Sequence, residues 1–501
     1  MRKQTKWVVV LGAAAVMTFG ACMTSFAATG WAKEGGTWYY YDQDEEAVTE
    51  TWKKASDGKY YYLGEDGAML TNSWVDGDHR YYVDANGARV TSAWRYMYGF
   101  EDDDAEEESW YWFDANGRMV SSKKVTVNGK VYYFDSEGKM LTGWIDTENF
   151  EKAESFIQDG TVYATKDGTR LTGWAKLYAP DDEDEEDQYW YYFSSTGAAR
   201  YSKKSTINGK SYAFNSEGQM LSGWITFEGT NVFEKVESLT GLNYAQVLYA
   251  GGANDGAIKK STWIYSVEPT ADAEDADEDR FWYYLGSNGT LTTAANNIAD
   301  SGQVAGAKLE IGKNNTVATA SEAVGLLKIN SKTYGFDSEG KMIDGLWRFV
   351  SVPATTSYGL STYYFGKSSD GAMKTGTVTL KNEDTEMSYG YHFSTTKSTL
   401  GAGSTGVQSS KLYDGGLLIT AKEDTKYAAV IVNGKTYIVN ESGKVMTSTS
   451  SVYTADNGIK YKNINGEVYY TKNGVTPTAN NDKIESGVTG SDVLQYDNTA
   501  A

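Results

Sequence analysis

Aromatic and apolar positions recur along this chain in a fixed order, with polar turn residues between them. A Gly-Trp or X-Trp start leads into a Tyr/Trp-rich triplet. A Gly turn and a Met-(Leu/Val)-(Thr/Ser) segment then precede the next Trp. Trp52, Tyr60-Tyr61-Tyr62, Gly67 and Met69-Leu70-Thr71 make one full unit, and Trp74 opens the next. The starts Trp31, Trp52, Trp74 and Trp94 lie 21, 22 and 20 residues apart. A period near 20 predicts a solenoid of small units, each too small to bury a core alone. Such a chain offers repeated shallow aromatic sites rather than one deep catalytic pocket.

Each unit reads as a β-hairpin. Asn128-Gly129 separates two β-prone runs, Val125–Val127 and Lys130–Phe134. An Asn-Gly pair supplies the two positive φ angles of a type I′ turn. The pair recurs at Asn208-Gly209, Asn433-Gly434 and Asn465-Gly466, with Asn330-Ser331 as a weaker copy. The predicted fold is therefore all-β: stacked hairpin repeats with long acidic and Ser/Thr/Gly loops. A longer period is superimposed, of 80 residues from Trp94 to Trp174 and 89 from Trp174 to Trp263. The expected organisation is a leader at 1–27, tandem repeats at 28–376, divergent hairpins at 377–478 and a frayed polar tail at 479–501.

The leader carries basic Arg2, Lys3 and Lys6, an apolar stretch from Trp7 to Ala21, and small residues at Ser25 and Ala27. This is the pattern of an export signal cut before Ala28. Cys22 after Phe19-Gly20-Ala21 is the alternative, a lipoprotein site, for which Phe19 is a poor match. Cleavage before Ala28 leaves no cysteine, hence no disulfide or thiol chemistry. No later apolar stretch is long enough to span a bilayer. Without the leader, 43 basic residues face 67 acidic ones. That balance argues against nucleic acid and against a polybasic grip on anionic polymers. The 39 Tyr and 53 Gly, with only 4 Pro, suit short aromatic strands and tight turns rather than helices or disorder.

Gly30-Trp31…Trp38-Tyr39-Tyr40 and Gly138-Lys139-Met140-Leu141-Thr142-Gly143-Trp144 resemble the choline-binding, or cell-wall-binding, repeat family. Related repeats occur in glucan-binding transferases and in the C-terminal regions of large bacterial toxins. The resemblance covers most of 30–376 and, more weakly, 377–475. It implies a superhelix of β-hairpins with sites between neighbours, where two or three aromatics and often a Met bind choline or sugar. A cage requires a start Trp and an aromatic leading the triplet. Both are present in Trp31/Trp38, Trp52/Tyr60, Trp94/Trp110, Trp174/Trp190 and Trp263/Trp282. The leading aromatic is replaced at Arg80, Val131, Ser211, Thr333 and Thr362, and these hairpins are expected to be spacers. Most other Tyr and Trp residues are expected to be core, since aromatics dominate core energetics. Met69, Met119, Met140, Met220, Met342 and Met373 read as filler between hairpins, with cage contact second.

Three acidic runs, Glu101–Glu108, Asp181–Asp187 and Asp272–Asp279, lie between a start Trp and a leading Trp. The default reading is a solvated turn; calcium binding and electrostatic attraction of a cationic ligand are the alternatives. The runs lack the alternating spacing of a calcium loop. With only His79 and His392, nucleophile–base triads and metal pairs lack their parts. No cofactor is expected. The reading is an exported, wall-associated, non-enzymatic protein. Its partner is a cell-wall polysaccharide or choline-bearing polymer, or alternatively a host glycan. The competing class is a structural or adhesive surface protein whose aromatics are core only.

Overall fold

A computed structural model describes residues 29–100, 108–153, 157–180, 187–269, 279–298, 303–312, 321–353 and 358–485, and the backbone of 496–497. The leader and nearly all of each acidic run lie outside the described residues. Chain contacts divide the molecule into two compact units, Met1–Gly173 with Phe193–Ala199, and Trp174–Tyr192 with Arg200–Ala501.

The first unit is a succession of antiparallel hairpins. Gly30–Glu34 pairs with Thr37–Tyr41, Thr51–Lys54 with Tyr60–Leu63, and Ser73–Val75 with Tyr81–Val83. Ala93–Met97 then pairs with Ser109–Phe113, and Lys123–Val127 with Lys130–Phe134. Last comes a three-stranded sheet with Gly143–Asp146 between Glu151–Lys152 and Thr161–Ala164. The Asn-Gly turns form as expected. Asn128 and Gly129 have φ of 50° and 80°, and Lys130 pairs directly with Val127. Asn330-Ser331 adopts the same pair of positive angles, 48° and 68°.

Consecutive hairpins are joined by one recurring hydrogen bond. The residue at the Met position donates its backbone N–H to the carbonyl of the preceding hairpin's leading triplet residue. Met69 donates to Trp38 at 2.8 Å, Met119 to Arg80 at 2.8 Å and Met140 to Trp110 at 2.9 Å. The exit turns are held by carboxylates: Asp114 Oδ1 accepts from Asn116 and Arg118 N–H, and Asp135 Oδ1 from Glu137 and Lys139 N–H. These Asx turns supply partners that a short hairpin cannot offer its own ends.

The second unit begins with the same grammar and then departs from it. Thr262–Ser266 pairs with Phe281–Leu285 as an ordinary hairpin. The next two hairpins are fused into a five-stranded sheet, because Gln303–Leu309 pairs with both Glu322–Ile329 and Leu346–Ser351. This inserted strand accounts for the expanded third copy. Leading Trp282 and Tyr334 are 52 residues apart, against 22 for Trp110 and Tyr132. A second five-stranded sheet follows over 376–418, then the hairpin Tyr427–Val432 with Lys435–Asn440 and a three-stranded sheet over 453–471. The tail expected to be frayed returns two residues, Tyr496–Asp497, to pair with Thr420–Ala421.

The core repeats with the hairpins. Tyr61, Tyr111, Tyr133, Tyr191 and Tyr283 are at most 2% exposed, as are Phe113, Phe134, Phe193, Phe214 and Phe336. These ten rings are core, the role expected for most aromatics in a chain with little other apolar bulk. Among the described residues no helix is long and apolar enough to cross a membrane.

Candidate functional site

Strand alternation decides which aromatic goes where. In Ser109–Phe113, Tyr111 and Phe113 face the preceding hairpin and pack on its start Trp74, with ring centroids 5.3 and 5.8 Å away. Trp110 and Trp112 face the other way, onto their own start Trp94, at 6.2 and 5.1 Å. The next hairpin then presents Tyr132 and Phe134 to Trp94, at 4.9 and 5.7 Å. Each start Trp is therefore a wedge between two hairpins. Trp144 and Trp224, 8% and 4% exposed, serve only as wedges, since Thr161 and Val247 stand at their leading positions.

Where the leading residue is also Trp, the wedge becomes one wall of a cage. Trp110 remains 43% exposed. Trp94, Trp110 and Tyr132 form three walls, and the Met140 N–H bond to the Trp110 carbonyl seats Met140 beside them. The second unit repeats this twice. Trp174 lies 6.4 Å from Trp190 and 4.8 Å from Tyr212, with Met220 N–H on the Trp190 carbonyl. Trp263 lies 6.3 Å from Trp282 and 4.8 Å from Tyr334, with Met342 N–H on the Trp282 carbonyl. In all three the two indoles are nearly perpendicular, at 85–89°. Two crossed indoles and a phenol give a cation three ring faces and no hydrogen-bonding demand.

The methionines are both filler and cage members. In the three cages the methionine packs over a turn glycine of the following hairpin so closely that a Cβ there would lie within 2.2 Å of the sulfur, as at Gly168 for Met140 and Gly256 for Met220. That contact, with positive φ at both glycines, explains why the turn requires Gly. An aspartate precedes these glycines in all three complete cages: Asp167, Asp255 and Asp370. The Asp370 charge adds to burial in raising the Tyr334 hydroxyl above its ordinary pKa.

The other two expected pairs differ. Trp31 packs on Tyr40 and Tyr61 at 5.4 and 5.5 Å, but Tyr61 is 2% exposed and the Lys33 ammonium lies 5.8 Å from the Trp38 ring. Trp52 packs on Tyr62 and Tyr81 at 5.1 and 5.3 Å, with the Arg89 guanidinium over both Trp52 and Tyr60. The sequence reading missed the third wall. The Val131, Ser211 and Thr333 hairpins, expected to be spacers, close the three complete cages with Tyr132, Tyr212 and Tyr334. The signal was present as a constant 22-residue step from Trp110 to Tyr132 and from Trp190 to Tyr212. Among the described residues no group of three or more His, Cys, Asp or Glu could hold a metal ion.

A choline-binding repeat family matches residues 46–88, and a cell wall binding repeat family matches 29–47, 106–119 and 125–140. Glucosyltransferase-S of Streptococcus mutans is 27% identical over 265 residues, covering 52% of this chain and 14% of the relative. Glucosyltransferase-I of Streptococcus downei is 25% identical over 385 residues, covering 68% of this chain and 20% of the relative. The chain thus spans a fifth or less of the length of these curated relatives. The choline-binding domain of CbpL from Streptococcus pneumoniae is 26% identical with a TM-score of 0.29, covering 42% of this chain and all of that domain. The chain thus contains segments that match choline-binding and cell wall binding repeats, all of them within residues 29–140.

Proposed function

We propose that this protein is a non-enzymatic binder of a cell-surface polymer bearing quaternary ammonium groups, choline above all. The observation that carries the reading is the threefold recurrence of one cage, Trp-Trp-Tyr-Met, at 94/110/132/140, 174/190/212/220 and 263/282/334/342. A trimethylammonium group offers no N–H to donate, so it selects ring faces over polar pockets. Each ring contact contributes about 0.5–2 kcal/mol, depending on how dry the site is. Three weak sites on one chain retain it on a multivalent surface, a gain of about 10²–10⁴ over one site when geometry permits. The abundance of carboxylates favours a cationic ligand over an anionic one. Trp31/Trp38 is a weaker fourth site, because Lys33 already covers part of Trp38. The leader pattern and the repeats support export and non-covalent retention at the wall.

Equilibrium dialysis of the full chain against choline chloride, with sedimentation on purified walls, tests the reading. Saturable choline binding and choline-eluted wall binding are expected. Replacing Trp110, Trp190 and Trp282 by Ala should abolish most of both. Wall retention that choline does not reverse and glucan does would favour the carbohydrate reading, and no retention at any salt concentration would sink both.

A further inference from the structure

The Trp52 cage has the same backbone construction as the three complete ones, but its fourth member is an arginine. Arg89 N–H donates to the Tyr60 carbonyl at 2.8 Å, as Met140 does to Trp110. Its side chain packs over Gly117 as the methionines pack over their glycines. The guanidinium carbon lies 4.4 Å from the Tyr60 centroid, 5.2 Å from Trp52 and 5.7 Å from Tyr81. Those rings are the leading wall, the start wall and the wall from the next hairpin. Arg89 Nε is buried without a hydrogen-bond partner. A buried cationic nitrogen with no acceptor is costly unless something else stabilises the charge. Here three aromatic faces surround it, and a planar, weakly hydrated guanidinium suits them better than an ammonium would.

We propose that Arg89 is a built-in cationic occupant of the Trp52–Tyr60–Tyr81 cage. The side chain takes the place that an external quaternary ammonium takes in the sibling cages, so it sets which cages bind ligand. This rests on the choline reading of those siblings. A second arginine shows that the position alone is not enough. Arg170 N–H donates to Val131 O, a leading position without a ring, and its guanidinium donates to the Ser195 carbonyl at 3.3 Å. In the Trp52 cage the arginine fills an aromatic site; beside Val131 it bridges to a neighbouring turn.

Arg89→Met restores the sibling composition. Equilibrium dialysis of the full chain against choline chloride should show one more site per molecule in R89M than in the wild type. Trp52→Leu should leave the wild-type count unchanged but remove the site gained in R89M. An R89M protein with native circular dichroism and an unchanged count overturns the proposal, as does a wild-type count that falls by one in W52L. A choline-independent arm uses thermal melting of R89M, W52L and the double variant. The ring–guanidinium contact predicts a double-variant loss clearly smaller than the sum of the single losses; additive losses overturn it. Wild-type protein that binds no choline refutes the proposed function, and the melting comparison then still decides the role of Arg89. R170M should change neither count nor coupling.

Discussion

The stretches Trp94–Met140 and Tyr427–Val445 are built on one backbone plan with two different fillings. Both have an Asn-Gly turn, an exit turn held by an Asx side chain, and a return segment that bonds back across the strands. Phe134 bridges Met140 as Val439 bridges Val445. At the start and triplet positions of the later hairpin stand Ala429 and Ile438, both fully buried. Both pack with Ala455, Ile459, Val468 and the buried Tyr461, while Ala428, Val430 and Val432 on the other strand face join Leu412, Ile419 and Val445 in an aliphatic core. Hairpin stacking therefore needs only apolar volume between the layers. Indoles supply that volume, and where a second indole leads the triplet, as Trp110 does, its face stays open at the edge. Ala429 and Ile438 are fully buried and put no ring at the start and triplet positions, which gives packing without a cage.

The largest effect that sharpens this contrast is removal of a pure wedge. Trp224 is 4% exposed, lies 4.8 Å from Tyr249 and 5.0 Å from Tyr283, and donates Nε1–H to the Val267 carbonyl. Trp224→Ala should cost about 3–5 kcal/mol by denaturant unfolding, from the lost transfer and the cavity. Val430→Ala removes two carbons and should cost about 2 kcal/mol. Equal losses would show that the aromatic layers are no more dependent on single residues than the aliphatic ones.

Gly256→Ala comes next. Gly256 has φ of +57° and a Cβ there would meet Met220 sulfur at 2.2 Å, so a loss of about 1–3 kcal/mol is expected. Gly434, at φ of +73° with nothing within 4 Å, should lose only the backbone part, about 1 kcal/mol. Melting curves of G256A, G434A and G256A with Met220→Ala separate the two terms, since the methionine deletion should relieve only the clash.

A cage wall should behave oppositely to a wedge. Trp110→Ala, at a residue 43% exposed, should move stability by about 0.5 kcal/mol while weakening choline at its cage about tenfold. Tyr133→Ala, in the same region but 2% exposed, should lose stability first. Fluorescence titration with circular dichroism on both variants checks this; equal binding losses that track stability would make the aromatics structural only.

The smallest effect concerns the exit turns. Asp337 accepts from Glu339 and Lys341 N–H, and burial lifts its carboxyl pKa to about 6 from 3.8. The folded state holds this proton more tightly than the unfolded chain. The protonated group's contribution is therefore complete below about pH 4 and is lost as pH rises through about 6. Asn440 stands at the same place in the aliphatic hairpin and accepts from Lys444 N–H at 2.8 Å. Asp337→Asn should keep both acceptor bonds, flatten the melting slope between pH 4 and 6, and raise stability at pH 7 by on the order of 1 kcal/mol. An unchanged slope would place the titration elsewhere.

Sequence alone determined the hairpin, its turns and which start and leading aromatics share a hairpin. Asn-Gly chemistry and two-residue alternation act within about ten residues, so they are legible without a tertiary structure. Trp94 with Trp110 and Trp174 with Trp190 belong to one hairpin each and could be paired by spacing. Tyr132 and Tyr212 showed only as a constant 22-residue step, and Tyr334, 52 residues from Trp282, lacked even that; each sits behind a non-aromatic leading residue and reaches its cage only when the next hairpin stacks. Arg89 illustrates the same limit. Its alignment with Met140 is visible in the repeat, but whether the side chain extends to solvent or folds back over three rings depends on a gap that stacking creates. Local sequence specifies strands, turns and which face a ring takes. Only the packing of one hairpin on the next decides whether two ring faces meet as core, open as a cage, or close on a charge the chain itself supplies.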